Sequence, residues 1–148
     1  MILADAGATE ALGARLAEGI RIGDVIALSG DLGMGKTTLA RGLLAALGLA
    51  GEAPSPSFAI VQPYGADEIS VPVCHVDLYR IEKSDEIEEL GLDEAREDAA
   101  LLIEWPERMG DRLWPDALWL RFEAVRGGGR RLTAKVPPAW EGRWPPRT

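Results

Sequence analysis

One cysteine in 148 residues, Cys74, rules out an internal disulfide and any zinc site built from cysteines, and it is consistent with a reducing compartment. Long apolar runs are also missing: Val25 to Leu28 and Ala99 to Ile103 are among the longest, far short of the ~20 residues that span a bilayer. The opening Met1-Ile2-Leu3-Ala4-Asp5 has no basic segment ahead of an apolar one, so no secretory signal is expected and a cytoplasmic address is predicted, without membrane association. Positive charge is scarce as well. A formal net charge of −8 argues against a broad basic face gripping phosphates, so any contact with RNA is expected to run through a partner.

What remains is a globular composition, 47% hydrophobic and 27% charged, in a chain long enough for one core and too short for two. A single domain over 1–136 is expected, followed by an irregular Pro- and Trp-rich tail over 137–148, draped or mobile. Leu12, Leu16 and Ile20 have helical spacing behind Thr9, which predicts a helix from Thr9 to Gly19 capped by that threonine. The apolar run Asp24 to Ser29 reads as a strand entering a glycine loop. Thr38 to Leu47 then reads as a helix stopped by Gly48. Further strands are predicted at Phe58 to Val61, Val71 to Leu78, Leu101 to Glu104, Leu118 to Phe122 and Leu132 to Val136, with an acidic helical stretch over Ser84 to Glu97. The fold class is α/β, a sheet covered by helices.

The segment Gly30-Asp31-Leu32-Gly33-Met34-Gly35-Lys36-Thr37 fits the pattern GxxxxGK[ST]. Its glycines let backbone N–H groups fold around a phosphate, and the following helix turns its positive end toward the anion. Lys36 would reach the outer phosphates as a point charge, and the Thr37 hydroxyl would hold the bridging magnesium ion. Asp31, Leu32, Gly33, Met34, Gly35, Lys36, Thr37 and Thr38 are therefore the expected nucleotide-binding residues, with ATP and Mg2+ as cofactors.

A P-loop enzyme also needs a carboxylate at the end of a neighbouring strand. Two runs end in one: Ala99-Ala100-Leu101-Leu102-Ile103-Glu104 and Val73-Cys74-His75-Val76-Asp77. Either acid is otherwise a solvated strand-end residue. The acids from Asp85 to Asp98 are spaced as on an exposed helix and read as a solvated face or partner surface. His75, the only histidine, reads as a packing or edge residue of an apolar strand. Of the tryptophans, Trp105 beside Glu104 is the one expected near the nucleotide, while Trp114, Trp119, Trp140 and Trp144 read as packing residues. Ser55-Pro56-Ser57-Phe58 lies where P-loop proteins often place a γ-phosphate sensor, or is a simple turn.

GDLGMGKTTLARGLL, SPSFAIVQPY, HVDLYRI, ELGLDE and LLIEWPERM, in this order between Gly30 and Met109, resemble the TsaE (YjeE) family, the ATPase of bacterial tRNA threonylcarbamoyladenosine synthesis. The resemblance implies a small P-loop NTPase with a central mixed, mostly parallel sheet. It also implies a weak ATPase stimulated by two partner proteins, TsaB and TsaD, with tRNA met only through their complex. Carried over by motif, Glu104 is the magnesium-binding acid together with Thr37, and Asp77 and Lys36 join Glu104 as catalytic residues. Ser57 stands where the family commonly has threonine, and Met34 where alanine is frequent; the first change keeps the hydroxyl. Arg130, after Gly127-Gly128-Gly129, is implied near the nucleotide, although a mobile hairpin with solvated charges reads as well there, and the stretch around Ala6 is implied at the adenine. Two other functions stay open on the residues alone: a small-molecule kinase, which shares the phosphate chemistry but needs an acceptor pocket and lid, and a nucleotide-gated binding module without turnover.

Overall fold

The computed structural model describes residues 1–31, 33, 35–51, 53–54, 56 and 60–146. Its frame is one seven-stranded sheet: β1 (Ile2–Leu3), β2 (Val25–Ser29), β3 (Val61–Tyr64), β4 (Val73–Asp77), β5 (Ala100–Glu104), β6 (Leu118–Ala124) and β7 (Arg130–Lys135), in the order β1-β7-β6-β2-β5-β4-β3. The central strands β6, β2, β5 and β4 run parallel, β3 and β7 run against them, and β1, antiparallel to β7, returns to the common direction. The sheet is thus mixed and mostly parallel. Strands β2, β4 and β5 are buried along their whole length, as parallel strands covered on both faces must be.

Helices α1 (Ala6–Ala17) and α2 (Lys36–Ala46) cover one face with the larger core cluster, which includes Leu12, Leu28, Leu43, Leu102 and Phe122. The other face is closed by α3 (Asp85–Glu88), α4 (Leu92–Asp98) and a 3-10 segment, Pro106–Arg112, around Ile87, Leu92, Leu101, Ile103 and Met109. Where α1 meets α2 the backbones touch. A Cβ on Gly13 would sit 2.2 Å from the Leu39 carbonyl oxygen, and one on Gly42 2.2 Å from that of Glu10. Only glycine permits this approach.

Several elements differ from the sequence reading. The cap of α1 is Asp5, not Thr9: Asp5 is extended and its carboxylate accepts from the Ala8 amide at 2.8 Å, while the Thr9 hydroxyl, already inside the helix, donates to the Asp5 carbonyl at 3.3 Å. The acidic stretch is two short helices instead of one, because Gly91 takes φ 67° between them, and it is not wholly exposed, since Ile87 and Leu92 are buried. Of the strand placed at Phe58 to Val61, Phe58 and Ala59 lie outside the described residues; β3 runs from Val61 and carries Pro63, which an edge strand tolerates because one side needs no ladder donor. The tail is draped: Trp140 is buried in the larger cluster and Trp144 packs on it. The stop at Gly48 holds, with φ 110° and the Leu49 amide bonded back to the Leu44 carbonyl at 3.1 Å. Among the described residues no helix is long and apolar enough to cross a membrane.

Candidate functional site

Strand order builds the site. β2 runs into the glycine loop; its neighbour β5 ends in Glu104, and β4, next beyond β5, ends in Asp77, so that Glu104 pairs in register with Leu28 of β2 on one side and with Asp77 on the other. The carboxyl ends of adjacent parallel strands thus place Glu104 between the loop and Asp77, at the edge where open α/β sheets take their ligands. Both acids are buried, and so is Lys36.

The loop delivers its helix at an angle that glycine alone adopts easily: Gly33 and Gly35 have φ 79° and 111°. α2 starts at Lys36 directly after Gly35, so its first-turn amides and the positive end of its dipole face the loop. The Lys36 ammonium donates to the Gly30 carbonyl across the loop and lies 3.8 Å from the Trp105 ring centroid. Burial pushes the Lys36 pKa below its ordinary 10.5, against the raising influence of Glu104, Asp77, Glu107 and Asp31. An entering polyphosphate would add negative charge where the cation is least solvated.

Thr37 donates its hydroxyl to Glu104, 3.0 Å to Oε1 and 3.1 Å to Oε2. Hydroxyl and carboxylate form a hard-oxygen pair suited to magnesium, which binds through one or two carboxylates plus substrate phosphates and keeps several waters. Among the described residues no cluster of three or more His, Cys, Asp or Glu could cage a metal alone. Asp77 accepts from the Tyr79 amide at 2.9 Å, and the Tyr79 ring lies 5.1 Å from that of Trp105. Trp105 itself has φ 60°, a conformation costly for a bulky side chain and concentrated at functional sites.

The residues implied at the base converge with the loop. A pocket of about 170 Å3 is lined by Ala6, Thr9, Gly33, Gly35, Thr38 and Arg130 among others. Arg130 donates to the Gly33 carbonyl at 3.2 Å. Gly129 before it has φ 77°, and a Cβ there would lie 2.7 Å from the Leu3 carbonyl, so the glycine lets the β6–β7 hairpin close onto β1. On the opposite side of the loop a cleft of about 670 Å3 opens between Asp31, Trp105, Glu107 and the uncovered face of β6–β7. Leu32 and Met34, and Ser55, Ser57 and Phe58 of the expected sensor, lie outside the described residues.

One participant was missed. His75 is fully buried, as a packing residue would be, but its Nε2 lies 2.7 Å from Glu104 Oε2. The available signal was its position on β4 two residues before Asp77, which puts both on one face of the strand.

Residues 3–132 match the family model of threonylcarbamoyl adenosine biosynthesis protein TsaE. The chain is 43% identical over 117 residues to the tRNA threonylcarbamoyladenosine biosynthesis protein TsaE of Streptomyces coelicolor, covering 78% of this chain and 79% of that one. It is 37% identical over 131 residues to the Mycobacterium tuberculosis protein of the same name, covering 84% and 78%. Against the crystal structure of Bacillus subtilis YdiB the TM-score is 0.81 at 27% identity, over 96% of this chain and 88% of the other. With a matching model across most of its length and relatives above a third identical, the chain belongs to the TsaE family, which serves tRNA threonylcarbamoyladenosine biosynthesis.

Proposed function

We propose that this protein binds Mg-ATP at the loop from Gly30 to Thr37 and hydrolyses it slowly alone and faster beside TsaB and TsaD, the partner proteins that form threonylcarbamoyladenosine on tRNA. The observation that carries the reading is the Thr37 hydroxyl 3.0 Å from buried Glu104, beside Lys36, at the carboxyl ends of parallel strands. The loop amides and Lys36 hold the β- and γ-phosphates, Thr37 and Glu104 hold magnesium, and Ala6 and Arg130 border the nucleoside side of the pocket. Magnesium, when bound there, would supply positive charge against that of the phosphates.

Asp77, next to Glu104 in register, positions the water that attacks the γ-phosphorus. The bond between that phosphorus and the β–γ bridging oxygen breaks, leaving ADP and inorganic phosphate. In this reading the partner complex completes the site, and hydrolysis resets it between turnovers. tRNA is met through the complex, in keeping with the net charge of −8.

Phosphate release from ATP is the test, measured for the protein alone, with TsaB and TsaD, and with the Glu104→Ala variant in the same mixture. Stimulation by the partners that is lost in the variant is expected. Bound ATP without stimulated release would favour a nucleotide-gated module, and a phosphorylated small molecule in place of free phosphate would favour a kinase.

A further inference from the structure

We propose that His75 is the positioning residue that orients Glu104 for the metal, holding one carboxylate oxygen so that the other faces the bridging ion. The inference rests on the functional reading above. His75 is fully buried in the middle of β4, one strand beyond Glu104 on β5, and pairs in register with Leu102. Its Nε2 approaches Glu104 Oε2 at 2.7 Å, while Nδ1 is buried with no hydrogen-bond partner among the described residues.

That asymmetry assigns the proton. With hydrogen on Nε2, the ring donates to the carboxylate and leaves at Nδ1 only an unused acceptor. With hydrogen on Nδ1, a buried donor would be orphaned and a nitrogen lone pair would face a carboxylate oxygen at 2.7 Å, a doubly unfavourable arrangement. Glu104 is then held from two sides: His75 on Oε2, and the Thr37 hydroxyl within 3.0 Å of Oε1 and 3.1 Å of Oε2. With its hydrogen on the carboxylate, the Thr37 oxygen would keep lone pairs for a cation, and Oε1, which His75 does not contact, would be left to serve the same ion. Partners beyond the direct ligands that fix a ligand's orientation typically govern metal affinity by 10 to 100-fold.

The test is a Mg2+ titration of fluorescent mant-ADP binding, with binding in EDTA as the metal-free baseline, on wild type, His75→Leu and His75→Gln. Glutamine can set an amide nitrogen near the place of Nε2, so it retains the donor. Expected are unchanged metal-free affinity in all three, a Mg2+ midpoint raised about tenfold in His75→Leu, and most of that shift recovered in His75→Gln. If the leucine variant unfolds, His75→Asn replaces it, since its shorter amide falls short of Glu104. A folded leucine or asparagine variant with the wild-type midpoint overturns the proposal, as does a glutamine variant no better than either. Wild-type protein that binds no nucleotide overturns the functional reading instead.

Discussion

At the scale of single residues the site joins a buried cation to buried acids. Lys36 is held against the Gly30 carbonyl and the Trp105 ring, and its desolvation is only partly offset by the surrounding carboxylates. Because its pKa is lowered in the fold, the native state sheds this proton before the unfolded chain does. Between the lowered value and 10.5 the unfolded state binds more protons, so this group's unfavourable contribution is relieved as pH rises through that window and is constant below it. Lys36→Met is therefore expected to abolish nucleotide binding without lowering the melting temperature, and urea unfolding from neutral pH toward 10.5 should lose the alkaline gain that Lys36 gives the wild type. A variant that melts well below wild type would contradict this account of the lysine. The phosphate loop was legible in the sequence because its motif is contiguous, and Glu104 and Asp77 because each ends an apolar run. The bond from His75 to Glu104 was not, since it joins positions 29 apart and depends on β5 lying beside β4.

At the scale of elements, the contact of α1 with α2 turns on two glycines that a helix-propensity argument would count as defects. Alanine is favoured over glycine in a helix interior by ~1 kcal/mol, yet at Gly13 and Gly42 the added carbon meets carbonyl oxygens at 2.2 Å that move only if the helices separate. Forcing carbon into a filled contact costs roughly 1 to 3 kcal/mol, so Gly13→Ala and Gly42→Ala should each reduce stability despite the better propensity. Gly19→Ala is the control: nothing lies within 4 Å of its Cβ and its φ is not positive, so it should be neutral or stabilising by up to about 1 kcal/mol. Urea unfolding midpoints decide. If all three variants shift alike, the helices adjust freely and the close approach carries no energy. Leu12 and Leu16 announced α1 by their spacing, but the close approach to α2 at Gly13 was not announced, because its partner, Leu39, lies in another helix and leaves no periodic trace. The cap was misplaced for a related reason: Asp5 and Thr9 both suit a helix start, and only the extended backbone of Asp5 decides between them.

On the scale of the whole molecule, the sheet separates function from anchorage. β2 leads at Ser29 into the phosphate loop, and at its other end Asp24 is clamped by the tail. The Arg143 guanidinium donates to both Asp24 carboxylate oxygens and to the Gly19 carbonyl at the end of α1, and it lies 4.0 Å from the Trp140 ring centroid. Trp140 is buried against the α1 side of the core. The tail thus ties α1 to the start of β2, and its effect on the nucleotide site should pass only through global stability. Trp140→Ala is expected to cost about 3 to 5 kcal/mol, the range for emptying a buried aromatic site, and ending the chain after Val136 should cost at least as much, because the Arg143 interactions go too. Nucleotide affinity per folded molecule should nevertheless stay at the wild-type value, measured by titration well below the lowered melting temperature. Affinity that falls in step with the loss of stability would mean that the strand transmits the disturbance, and that the two ends of β2 behave as one cooperative unit.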